Sequence, residues 1–155
     1  MANILVVDDE PDFLEQMPAI MSRWGHKTFT ATDGFQALEI FERESIDLIL
    51  SDVRMPNMDG IQLLHKIQDI DKRCPVILLT GYPADETAIQ AMHSGAEDYL
   101  VKPINYDELR IRIEKSLQRK AHMDSIPFLR GLNWALALSI PFWLIIGFLL
   151  AKLLR

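Results

Sequence analysis

The chain predicts a doubly wound α/β fold, a five-stranded parallel sheet with helices on both faces. Short, wholly apolar runs recur along the 155 residues and alternate with segments whose apolar residues repeat at helical spacing. Most of these runs stop abruptly at an acid, a threonine or a lysine. Strands covered on both faces read as unbroken apolar runs, and such strands belong to parallel sheets.

Ile4 to Val7 is the first run and predicts a buried strand ending at Asp8. From Asp12 the period changes: Phe13, Met17, Ile20, Met21 and Trp24 share one helical face, with Gly25 as the stop. Pro18 should kink or shift this helix, because proline removes one helical hydrogen bond. Lys27 to Ala31 reads as a strand, Gly34 to Glu44 as a helix burying Phe35, Leu38 and Phe41, and Asp47 to Ser51 as a strand. Ile61 to Gln68 follows as a helix with Ile61, Leu64 and Ile67 inward, then Val76 to Leu79 as a strand. Ala84 to Ser94 is helical with Gly95 as its stop, and Tyr99 to Val101 is the last strand. The helix from Asn105 to about Lys120 opens on an N-x-x-E cap, Asn105 and Glu108, and carries the stripe Tyr106, Leu109, Ile113 and Leu117.

In an open parallel sheet, ligands gather at the carboxyl ends of the strands. Asp8 and Asp9 follow the first strand, Asp52 the third, Thr80 the fourth, and Lys102 with Pro103 the fifth. Three carboxylates at one sheet edge repel one another, and a hard divalent cation with oxygen ligands, Mg²⁺ above all, neutralises such a cluster. A carboxylate beside that ion is also a nucleophile toward phosphorus, with the Lys102 ammonium and the Thr80 hydroxyl sharing the charge of the transferring group. Gly81 leaves space for that group to enter. The four histidines, His26, His65, His93 and His122, show no metal-ligand spacing and read as surface or packing residues.

Four segments carry a resemblance: VVDDEP at Val6 to Pro11, DVRMPNMDG at Asp52 to Gly60, LLTGY at Leu78 to Tyr82, and EDYLVKPI at Glu97 to Ile104. Their order and spacing make residues 3 to 120 similar to the receiver domain of two-component response regulators. The resemblance implies a flavodoxin-like sheet of order 2-1-3-4-5. It implies Asp52 as phosphoacceptor and Mg²⁺ as cofactor, with Asp9 a direct metal ligand, Asp8 a ligand through water, and the Arg54 backbone carbonyl a third protein contact. Lys102 would pair with the phosphoryl oxygens, Thr80 and Tyr99 would form the switch pair, and Arg54 and Tyr82 would tune loss of phosphate. A sensor histidine kinase or a histidine phosphotransfer protein would be the donor, and an unnamed protein the downstream target. Such a domain assists its own phosphorylation and dephosphorylation only, so it is no enzyme in the ordinary sense. The competing enzyme class, an Asp-nucleophile phosphatase, commonly carries a second acid two residues after its nucleophile, where this chain has Arg54.

The receiver is expected over 1–122, a linker over 123–133, a transmembrane helix over 134–151 and a basic tail over 152–155. Residues 1 to 127 hold 13 Lys and Arg against 22 Asp and Glu, whereas Arg130, Lys152 and Arg155 are the only charges beyond Pro127. Trp134 to Ala151 is 18 residues without a charge. As a helix it is about 27 Å long, close to the thickness of a bilayer's hydrocarbon core. A single-pass, tail-anchored protein with its receiver in the cytoplasm is the expectation. Self-pairing is also expected from the spacing of Ala135, Ser139, Gly147 and Ala151. The alternative is a soluble receiver whose last helix serves oligomerisation or partner binding. No basic surface suits nucleic acid, and no output domain is expected in the short stretch after Lys120. Cys74 is the only cysteine, so the chain forms no internal disulfide.

Overall fold

A computed structural model of the protein describes residues 1–81 and 92–125. Backbone contacts divide the chain into Met1–Lys120 and Ala121–Arg155, and the fold below is that of the first unit. The elements run β1 (Asn3–Val7), α1 (Pro11–Arg23), β2 (Lys27–Ala31), α2 (Gly34–Arg43), β3 (Leu48–Asp52), α3 (Gly60–Ile70), β4 (Val76–Thr80) and β5 (Asp98–Val101). A further helix occupies 106–125. The five strands form one parallel sheet in the order β2-β1-β3-β4-β5.

Side chains alternate across a strand, and the two faces of the sheet divide the core accordingly. Leu5, Val7, Ile49 and Leu78 pack with Ala37 of α2 and Leu63, Leu64 and Ile67 of α3. Ile4, Val6, Leu48, Leu50, Ile77 and Leu79 pack with Met17 and Met21 of α1 and with Leu109 and Ile113 of the 106–125 helix. β3 and β4 are buried along their whole length, whereas β2, at the edge of the sheet, is only partly covered. That contrast explains why the two central strands read as unbroken apolar runs and KTFTA does not.

Caps and stops follow local chemistry. Asp33 accepts from the N–H groups of Phe35 and Gln36 at 2.8 and 2.9 Å, and Asp59 and Gln62 form a reciprocal capping box at the start of α3. Asn105 accepts from Asp107 and Glu108. Gly25 and Gly95 take positive φ values of 82° and 87°, which a glycine adopts without a steric penalty.

α1 spans Pro11–Arg23 with Pro18 inside it; Pro18 lies exposed, while the buried Met17 and Met21 hold the helix to the sheet. Several expectations need correction. Phe35 is 56 % exposed rather than buried, because it stands on the first turn of α2 beyond the reach of the core. In α3, Leu63 joins Leu64 and Ile67 inside, and Ile61 is only half-buried. Tyr106 is exposed rather than part of the inward stripe. Glu108 does not complete a capping box, since its carboxylate pairs with Arg112 at 2.6 Å. The expected helix at 84–94 lies mostly outside the described residues, as does the whole of 134–151. Among the described residues no helix is long and apolar enough to cross a membrane.

At its amino-terminal edge the sheet is tied by polar contacts. The Lys120 ammonium donates to the carbonyls of Ile46 and Asp47, each at 3.2 Å, and Asp47 accepts from the Asn3 N–H at 2.8 Å. On the α2 side, Met58 is buried against Gly34, where a Cβ would fall within 2.9 Å of three Met58 side-chain atoms.

Candidate functional site

The carboxyl edge of the sheet brings Asp8, Asp9 and Asp52 together. One carboxylate oxygen from each lies within 4.8 Å of the others. Asp8 is fully buried, Asp9 exposed and Asp52 7 % exposed. Asp52 closes β3 opposite Leu79 of β4, so the parallel register carries it into the edge where β1 has just ended. Its backbone is pinned from the far side: the Val53 N–H donates to the Leu79 carbonyl at 2.8 Å, and the Gly60 N–H to the Val53 carbonyl at 2.9 Å. A Cβ at residue 60 would run into the Asp52 carbonyl, so only glycine permits this approach. In the loop before Gly60, Asn57 takes a φ of 67° and the Met58 N–H donates to the Pro56 carbonyl at 2.7 Å.

Lys102 reaches across from the end of β5. Its ammonium donates to Asp8 Oδ2 at 2.7 Å and to Glu10 Oε1 at 3.1 Å, and lies 3.7 Å from Asp52 Oδ1. It also stands 5.0 Å above the Phe13 ring. Burial works to lower the Lys102 pKa, but the hydrogen bond to Asp8 and the charges of Asp52 and Asp8 outweigh it, so the net shift is upward. Asp52 is pushed up to about 6, first by burial and then by the neighbouring Asp8 and Asp9, while Lys102 pulls the other way. A carboxylate held above its ordinary range by burial, with two further carboxylates beside it, is a place where a cation would be stabilised.

Thr80 is buried at the end of β4, and its carbonyl accepts from the Lys102 N–H at 2.6 Å. Leu78 pairs with Tyr99 in the register, so Thr80 and Tyr99 are diagonal neighbours on one face of the sheet. Tyr99 is half-buried and packs against the α2–α3 side of the core. β5 is held to the 106–125 helix by Arg112, 2.6 Å from Asp98. A cleft of about 450 Å³ opens beside Lys102, lined by Glu10, Phe13, Gly81, Pro103, Ile104 and Tyr106. Room at Gly81 does not depend on its missing side chain, since a Cβ there would meet nothing within 4 Å.

The structure thus brings Asp8, Asp9, Asp52 and Lys102 together, with Thr80 at the adjoining end of β4 and Tyr99 diagonal to it. Arg54 lies exposed two residues beyond Asp52, and Tyr82 falls outside the described residues. Sequence reasoning missed Glu10 and Phe13 as neighbours of Lys102. Glu10 directly follows Asp9, but no local pattern points to its bond with Lys102, 92 residues away. His65, His93 and His122 are exposed and His26 half-buried. Burial, with the nearby amino terminus, lowers the His26 pKa.

The sheet order and the acidic pocket at its carboxyl edge define a flavodoxin-like α/β protein. The family model of the response regulator receiver domain matches residues 4–114, and the chain belongs to that family. It is 42 % identical over 124 residues to the transcriptional regulatory protein ZraR of Escherichia coli K12, covering 80 % of this chain and 27 % of that one. A receiver domain protein from Clostridium thermocellum superposes with a TM-score of 0.76 at 35 % identity, over 79 % of this chain and 99 % of that one. The response regulator TrrA of Thermotoga maritima, solved with Mg(2+)-BeF, does so with a TM-score of 0.68 at 34 % identity, over 75 % and 99 %. The chain spans about a quarter of the length of the curated relatives it matches. Those relatives are transcriptional regulators, so the expectation of no nucleic-acid partner finds no support in them.

Proposed function

We propose that the chain is a Mg²⁺-dependent phosphoryl-accepting switch in a two-component pathway, with Asp52 as the acceptor and a histidine kinase or histidine phosphotransfer protein as the donor. One observation carries the reading: the buried Asp52 carboxylate lies within 4.8 Å of the Asp8 and Asp9 carboxylates and 3.7 Å from the Lys102 ammonium at the open edge of the sheet. The three carboxylates form a set of hard oxygen donors that fits Mg²⁺, with the Arg54 carbonyl a further candidate ligand. When bound, the ion would offset the negative charge of the transferring phosphoryl group.

The chain's own residues supply the rest. An Asp52 oxygen attacks phosphorus as the bond to the donor nitrogen breaks, giving an acyl phosphate on Asp52 and returning the electron pair to the donor imidazole. Lys102 is placed to follow the charge onto a phosphoryl oxygen, since its ammonium already lies 3.7 Å from Asp52. The Thr80 hydroxyl is the second donor at hand. If it turns toward the phosphoryl group, space opens on the face it shares with Tyr99, and the ring can move in behind it. That step would carry the state of Asp52 to β5 and the 106–125 helix.

Asp52→Asn should abolish labelling by a small-molecule phosphodonor in Mg²⁺, and chelation should abolish it in the unaltered protein. Labelling retained by Asp52→Asn would sink the assignment. For 134–151 we carry forward the alternative, an apolar segment through which the receiver meets a partner or a second copy. Recovery of the full-length protein in membranes after alkaline carbonate would instead restore the anchor.

A further inference from the structure

Glu10 is the N-cap residue of α1, a position whose side chain commonly accepts a hydrogen bond from the first turn. Its carboxylate makes no such bond. It lies instead 3.1 Å from the Lys102 ammonium, across 92 residues of sequence. Lys102 pairs with three carboxylates among the described residues, those of Asp8, Glu10 and Asp52. Two of them, Asp8 and Asp52, belong to the cluster able to hold a metal ion. Glu10 alone of the three stands outside it.

This creates a conflict that the site has to resolve. Both oxygens of the buried Asp8 are already engaged, Oδ1 by the Glu10 N–H at 3.0 Å and Oδ2 by Lys102 at 2.7 Å. A divalent cation arriving at Asp8 competes with the ammonium for the same carboxylate and repels it at short range. Moving Lys102 fully onto Asp52 does not help, because Asp52 faces the same ion. We propose that Glu10 is a positioning residue that takes over Lys102 as Mg²⁺ claims Asp8, holding the ammonium at the rim of the site until a phosphoryl oxygen replaces it. The inference rests on the Mg²⁺-dependent reading above. It adds to that reading a residue that ligates no metal and touches no reacting atom, yet sets how readily the ion and Lys102 share one pocket.

Glu10 is exposed and caps nothing, so Glu10→Gln removes the charge without removing a fold contact other than the pair itself. Calorimetric Mg²⁺ titration of the full-length protein should show about threefold weaker binding in Glu10→Gln. Glu15→Gln, an exposed acid one turn along the same helix, should change it by less than about 1.5-fold. The second readout is labelling of Lys102 by an amine-reactive reagent, followed by mass spectrometry. Saturating Mg²⁺ should raise that labelling at least about threefold in Glu10→Gln, where the ammonium has lost its refuge, and leave it nearly unchanged in the unaltered protein. Equal Mg²⁺ affinity in the two glutamine variants, or an equal response of Lys102 to Mg²⁺ with and without Glu10, would overturn the proposal. Failure of the underlying reading has a separate signature: the unaltered protein would not bind Mg²⁺, or Asp9→Asn would bind it undiminished, and either result overturns this inference as well.

Discussion

Asp52→Asn should make the metal-free protein more stable above neutral pH. Asp52 rises from 3.8 to about 6 on folding, and a pKa unit is worth 1.36 kcal/mol, so its ionised form opposes the fold by at most about 3 kcal/mol. The pull of Lys102 is already contained in that net shift; asparagine removes the charge but still leaves a polar amide to bury, so the net gain is about 1–2 kcal/mol. The sign follows from the direction of the shift. A carboxyl raised in the folded state binds more protons there than in the unfolded chain, so the penalty grows between the unfolded value and about 6 and is complete above it. Below about pH 4 both states are largely protonated and the advantage of asparagine should disappear. Urea unfolding of both proteins in a chelator, near pH 8 and near pH 4, measures the difference. A variant no more stable near pH 8, or a gain undiminished near pH 4, would refute the account of a carboxylate whose ionised form is opposed by burial and by its acidic neighbours.

Two further substitutions test how the site is supported. Gly60→Ala should lose about 2 kcal/mol or more in urea unfolding and slow labelling of Asp52, because its Cβ collides with the Asp52 backbone; stabilisation, as alanine's helix propensity alone would give, would show that the loop gives way. Lys120→Met should lose about 1–3 kcal/mol, since it strips the carbonyls of Ile46 and Asp47 of a charged donor, while labelling of Asp52 proceeds as before; a loss below about 0.5 kcal/mol would mean that water replaces the ammonium at no cost.

The parts of the fold that were legible were those decided by burial on both faces. Leu48 to Leu50 and Val76 to Leu79 have no face exposed to water, so their composition alone marks them. The site was legible for a related reason: each of its polar residues interrupts an apolar run at a strand's carboxyl end. What escaped depended on where a helical stripe stops being covered. Phe35 and Tyr106 both belong to an apolar periodicity, yet each stands near the start of its helix and is exposed. Glu10 escaped for another reason, because its bond to Lys102 joins residues 92 positions apart, and no local pattern encodes that approach.

Met58 and Gly34 have a consequence on the scale of descent rather than of one molecule. The loop that follows Asp52 is seated by pressing a buried methionine onto a residue with no side chain, so neither position can enlarge alone. Lineages of this chain should therefore drift through linked exchanges, a smaller residue at 58 accompanying any gain of bulk at 34. The acidic edge answers to chemistry, whereas space alone ties together two residues that take no part in it.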